Sequence, residues 1–91
     1  MKFRAMRCAR SEAEQLYIFA MLENWNRLPK ARREELLRLI DALSETDAER
    51  KALYEALRGR MTADAISRFT FVPIQRIYAL KRKFYERVKI R

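Results

Sequence analysis

The side chains best equipped for chemistry in this sequence are cations. Arg58, Arg60, Arg68, Arg76, Lys81, Arg82, Lys83, Arg87, Lys89 and Arg91 crowd the segment 58–91, where only Asp64 and Glu86 oppose them. That segment carries most of the formal net charge of +9. Such a concentration suits a polyanion, because each phosphate that is neutralised releases condensed counterions. Aromatic and aliphatic residues are interleaved with the charges (Phe69, Phe71, Ile77, Tyr78, Phe84), so the segment has the means to fold. Lys2, Arg4, Arg7 and Arg10 make residues 1–10 purely basic, while residues 11–57 are mildly acidic.

Other chemistries lack their residues. With no His and one Cys, the usual zinc sites, His-based triads and intrachain disulfides are excluded. One Gly cannot furnish a phosphate-cradling loop. Enzymatic activity is therefore not expected, nor is a cofactor or a bound metal. Cys8 reads as an incidental thiol. The basic N-terminus is not followed by an apolar run of signal-peptide type. The longest apolar run, Leu16 to Leu22, is far short of the roughly 20 residues a membrane span needs. The expectation is a cytoplasmic, nucleoid-associated protein with no membrane partner.

The elements that must position these cations are all helical. Ser11 and Glu14 have the form of a capping box and open a first helix that runs to about Leu28, before Pro29. Pro29 suits the first position of a second helix, with Leu36, Leu39, Ile40 and Leu43 at helical spacing. Thr46 and Glu49 form a second capping box, ahead of a third helix that buries Ala52, Leu53, Ala56 and Leu57. Gly59 falls where that pattern stops, as a left-handed C-cap requires. Thr62 caps a short fourth helix, Ala63 to Phe69. A fifth runs from Pro73 to about Lys89 with Ile77, Leu80, Phe84 and Val88 on one stripe. The expected fold is all-α with about five helices. Residues 1–10 read as a basic flexible arm and residues 11–91 as a single helical domain. Within it, 11–59 form a three-helix supporting part and 60–91 a helix-turn-helix with a long second helix.

A helix-turn-helix needs a short helix, a tight turn and a second helix whose inner positions are apolar. Ile66, Val72, Ile77 and Leu80 occupy those inner positions. The stretch Thr62–Val88 resembles the promoter-reading fourth region of bacterial sigma factors, with Thr62, Asp64, Ile66, Val72, Arg76, Ile77 and Leu80 at matching positions. On a chain of this size it is similar to small phage and mobile-element transcription regulators of the ArpU/RinA type. Two positions depart from the pattern. Phe71 stands where Gly is usual, and a bulky residue is strained there if φ is positive. Pro73 replaces the polar cap of the second helix.

The resemblance implies a transcription regulator that reads double-stranded DNA in the major groove. Ile74, Gln75, Tyr78 and Ala79 would face the groove. Gln75 is suited to pair with adenine, and Ile74 or Ala79 to meet a thymine methyl. Arg76, Arg82 and Lys83 would bind phosphate, and Thr62 with the start of its helix would hold another through backbone amides.

The first helix raises a separate question. Leu16, Tyr17, Ile18, Phe19, Met21, Leu22 and Trp25 are apolar nearly all round, which marks a buried helix. Either it is the centre of the bundle, or a second copy covers part of it in a homodimer. The alternative function is a protein-interaction adaptor, anti-sigma-like or binding RNA polymerase, that uses these N-terminal helices. A weaker third reading is non-specific RNA binding.

Overall fold

The computed structural model describes residues 3–90. Met1 and Lys2 of the expected arm, and Arg91 at the end of the basic segment, lie outside it. Among the described residues the chain forms five α-helices and one 3-10 turn, with no strand. The helices are α1 (Glu12–Glu23), α2 (Lys30–Leu43), α3 (Asp47–Arg58), α4 (Ala63–Thr70) and α5 (Ile74–Arg87). Among the described residues, no helix is long and apolar enough to cross a membrane.

Local chemistry sets most of the boundaries. The Ser11 hydroxyl accepts from the Glu14 N–H, and the Glu14 carboxylate accepts from the Ser11 N–H at 3.1 Å, so the first capping box is reciprocal. Thr46 likewise accepts from the Glu49 N–H. The Glu49 carboxylate, however, takes the Glu45 N–H rather than that of Thr46, so the second box is only half formed. Gly59 closes α3 at φ 69°, the left-handed conformation that its missing Cβ makes inexpensive. Pro29 and Pro73 stand one position before their helices, in extended backbone, rather than in the first turn.

The first helix is shorter than its apolar run suggests. Asn24 leaves helical geometry and its side-chain amide donates back to the Ala20 carbonyl at 2.9 Å. The chain then passes through a 3-10 turn, Trp25–Arg27, before Pro29. This break carries the Trp25 ring onto α3, edge-on to Tyr54 at 5.8 Å between centroids. Of the two places expected for this helix, the centre of the bundle is corrected. Gln15, Ile18 and Leu22 form the buried stripe of α1, whereas Leu16 and Tyr17 are about half exposed. A helix that covers only one stripe lies at the edge of a bundle, and α3 and α5 take the centre.

Two apolar clusters hold the elements together. In the larger, Ile18 and Leu22 of α1, Leu36 and Ile40 of α2, and Leu53 of α3 meet Leu80, Phe84, Tyr85 and Val88. In the smaller, Ala52 of α3 meets Ile66 of α4, Val72 of the turn and Ile77 of α5. Helix α5 therefore belongs to both. Each fully buried Leu, Ile or Phe contributes about 1.5–3 kcal/mol. The axis of α5 is consequently fixed along its whole length, and its outward face is rigidly presented.

Residues 3–10, expected as a flexible arm, lie against the bundle. Gln15 is the cause. Its side-chain amide accepts from the Met6 N–H at 2.8 Å and donates to the Met6 and Arg10 carbonyls at 3.0 Å, in the manner of a peptide unit. The Ala9 N–H reaches the Glu86 carboxylate at 3.0 Å, and the Arg10 guanidinium donates to the Val88 carbonyl. The Phe3 ring meets Phe19 edge-on at 5.4 Å. The Cα radius of gyration, 12.4 Å, equals the roughly 12 Å of a compact chain of this length, so no segment trails far into solvent.

Candidate nucleic-acid interface

The pair α4–α5 is joined by Phe71, Val72 and Pro73. Thr62 begins it, its hydroxyl accepting from the Ala65 N–H at 3.1 Å. Asp64 and Arg68 pair one turn apart on the exposed side of α4, at 2.7 Å. Inside, the Thr70 hydroxyl donates to the Ile66 carbonyl at 2.7 Å and accepts from the Val72 N–H at 3.3 Å, which ties the turn to the helix before it. Phe71 adopts φ 61°, ψ 20° and donates its N–H to the Ser67 carbonyl at 2.8 Å. It is the single non-glycine residue with positive φ among those described, and its side chain is 90% exposed. The strain anticipated at this position is therefore real, and no packing of the ring repays it.

Helix α5 turns Ile77, Leu80 and Phe84 inward. Gln75, Tyr78, Ala79 and Arg82 follow the i, i+3, i+4, i+7 rule on the opposite side. Gln75, Tyr78 and Arg82 are exposed, with Lys83 one step round the helix and also exposed. Ile74 and Ala79 are half-buried at the edges of this face. Five of the eight expected contact residues thus form one outward patch, Gln75, Tyr78, Ala79, Arg82 and Lys83, with Ile74 at its margin.

Arg76 does not join them. Its Nε and Nη2 meet the two carboxylate oxygens of Glu49 at 2.9 and 3.1 Å, and Nη2 also meets Glu45 at 3.1 Å. Hydrogen bonds from Arg76 and from the Glu45 N–H hold the Glu49 carboxyl below its ordinary pKa. The hydrogen bond to Glu49 in turn raises the pKa of Arg76. This guanidinium, expected to bind phosphate, instead clamps the first turn of α5 to the start of α3. Thr62 lies off the patch, but it shares with Tyr78, Lys81 and Arg60 a groove of about 350 Å³ between the α3–α4 connection and α5.

Three contributors were not singled out in the sequence. Lys81 lies beside Tyr78 and Arg82, half-buried, and desolvation lowers its pKa. Arg4 and Arg7 reach the same side of α5 because Gln15 holds the segment that carries them. Only their positive charge was legible; their place depends on the long-range clasp. Tyr85, beneath the arm, is buried, and desolvation pushes its phenol up to about 12.

As assembled, the face offers one amide able to make a two-point hydrogen bond, one exposed aromatic ring and several guanidinium and ammonium groups. Its one carboxylate, Glu86, is engaged with the Ala9 N–H. The face is thus positively charged overall, with hydrogen-bonding, aromatic and cationic groups side by side. Comparison with family models, with curated proteins and with solved structures finds no match to this chain.

Proposed function

We propose that this protein is a DNA-binding transcription regulator whose α4–α5 pair acts as a helix-turn-helix. The observation that carries the reading is the outward stripe Gln75, Tyr78, Ala79 and Arg82 on a helix whose opposite side is locked into two cores. The seven helical steps from Gln75 to Arg82 span about 10 Å, close to the roughly 12 Å width of the major groove. Gln75 near the helix start would then read a base edge, for which the bidentate partner is adenine. Arg82 and Lys83, two turns on, would meet the phosphates at the groove wall. In this reading Arg76, paired with Glu49, supports the helix from behind the stripe.

Selection from a pool of random duplexes tests this reading. A regulator of this kind enriches a defined site with one position dependent on Gln75. Recovery of sequences no tighter than the starting pool would refute sequence-specific recognition.

A second reading draws on the outer face of α1. Leu16 and Tyr17 are about half exposed there, on a helix whose other stripe is buried. This face suits a protein contact, either with a second copy of the chain in a homodimer or with polymerase in an adaptor role. Sedimentation distinguishes the first case, since a dimer through α1 dissociates on Leu16→Glu. Polymerase capture that survives loss of DNA binding in Arg82→Ala supports the adaptor.

A further inference from the structure

The described part of the expected arm forms one wall of a cleft. A cleft of about 310 Å³ opens between residues 4–7 and α5, with Arg4 and Arg7 on one wall and Tyr78, Lys81 and Arg82 on the other. No carboxylate lines it. Among the described residues, none of these four cations has an ion-pair partner within the chain, in contrast to Arg32, Arg50, Arg68 and Arg76. Four positive charges facing one cleft repel one another, so the arrangement needs something to hold it in the absence of a counter-charge. The structure supplies that hold on both sides of the two arginines. Phe3 rests on Phe19, Met6 is bonded through both backbone groups to the buried Gln15, and Ala9 and Arg10 are tied to Glu86 and Val88.

We propose that this cleft is a preformed binding site for the sugar–phosphate backbone of double-stranded DNA, with Arg4 and Arg7 contributing to it as directly as Lys81 and Arg82. The inference rests on the reading of α5 as the DNA-contacting helix and extends it to a second, base-independent contact. The position of the cleft identifies the ligand. Tyr78 and Arg82 belong both to the outward stripe that begins at Gln75 and to the cleft wall. They lie one and two turns from Gln75, at about 4.5 and 10 Å along the axis. An anion in the cleft is then at the distance of the backbone strand that borders the groove which Gln75 enters. Lys81 adds a reason for binding there, because its ammonium is partly withdrawn from water with no counterion, and a phosphate oxygen would supply one. Since residues 4–7 are already held, binding does not have to order them, and the contact avoids the conformational cost that a flexible arm incurs.

The experiment is the salt dependence of duplex binding, followed by fluorescence anisotropy with the full chain and a short labelled duplex of random sequence. Wild type is compared with the double variant Arg4→Gln/Arg7→Gln, with Arg82→Gln and with Arg38→Gln, an exposed cation outside the cleft. Both arm side chains are exposed and make no hydrogen bond in the structure, so unchanged helical circular dichroism and melting are expected. Each lost phosphate contact reduces the slope of log K against log salt by about 0.9. The double variant should therefore lose close to two units, Arg82→Gln about one, and Arg38→Gln none. If the double variant keeps the wild-type slope while Arg82→Gln lowers it, the cleft site is overturned and the α5 reading stands. If wild type fails to bind duplex even at low salt, both are overturned.

Discussion

Replacing Phe71 by Gly should make this protein more stable, although it deletes one of its largest side chains. The residue sits at φ 61°, ψ 20°, where an L-amino acid pays about 1–2 kcal/mol because its Cβ approaches the neighbouring backbone. The ring offsets almost none of this, since at 90% exposure it retains about a tenth of the 1.5–3 kcal/mol that full burial would give. Glycine removes the Cβ clash but widens the unfolded ensemble, at about 0.5–1 kcal/mol. The balance is a net gain of about 0.5–1 kcal/mol for Phe71→Gly. In a chain of this size it appears as a melting temperature raised by about 2–8 °C in a circular-dichroism melt. Phe71→Ala keeps the Cβ and should stay near wild type. Phe71→Val, β-branched and the least tolerant of left-handed backbone, should lose about 1 kcal/mol. The ordering Gly above Ala above Val is the diagnostic. If Phe71→Ala stabilises as much as Phe71→Gly, the gain comes from removing an exposed aromatic and the strain argument is refuted.

Other consequences are equally open to measurement. Ile66 is 1% exposed and joins α4 to α3 and α5, so Ile66→Ala should cost about 2–4 kcal/mol in urea unfolding. A loss under about 1 kcal/mol would mean that the smaller cluster is not packed as described. Arg76→Met breaks the pair with Glu49 and should cost about 1 kcal/mol near neutral pH. Because the folded pKa of Glu49 is depressed, the pair's contribution is complete above the ordinary Glu value, about 4.3, and fades as pH falls through the lower folded value. The wild-type advantage over Arg76→Met should therefore shrink in urea titrations below about pH 4, and an advantage independent of pH would exclude the carboxylate. Gln75→Ala should relax discrimination at one base pair by about 1–3 kcal/mol and leave the salt slope unchanged, as read by competition between matched and singly altered duplexes.

The parts of the fold that the sequence disclosed are those governed by neighbours within one or two turns. Ser11, Thr46 and Thr62 cap their helices as their hydroxyls dictate, and Gly59 ends α3 in the left-handed conformation. The stripe Ile77, Leu80, Phe84 and Val88 is buried, as its spacing requires. The strain at Phe71 was anticipated through the resemblance that puts Gly at this turn position, and the backbone there has positive φ. The misread features depend on partners far along the chain. Arg76 is indistinguishable by type from Arg82, and only the arrival of Glu45 and Glu49, 31 and 27 positions away, commits it to structure. Gln15 is a polar residue at the edge of an apolar run, with nothing local to mark it as the clasp for Met6 and Arg10. Helix α1 offers apolar residues on every side, so composition could not tell which stripe would be covered. Its early end at Asn24 coincides with a side-chain bond from Asn24 to the Ala20 carbonyl, which no apolar pattern discloses.

The proposal that α5 contacts DNA with its outward stripe is open to a residue-resolved test by nuclear magnetic resonance. Isotope-labelled protein is titrated with a duplex selected from the random pool, and chemical-shift changes are mapped along the chain. The largest changes should fall on the Gln75 side-chain amide and on the backbone of Tyr78, Ala79, Arg82 and Lys83, with Glu45 and Glu49 little affected. Changes confined to Leu16, Tyr17 and the rest of the outer face of α1, with α5 silent, would contradict the assignment and place binding on the N-terminal helices.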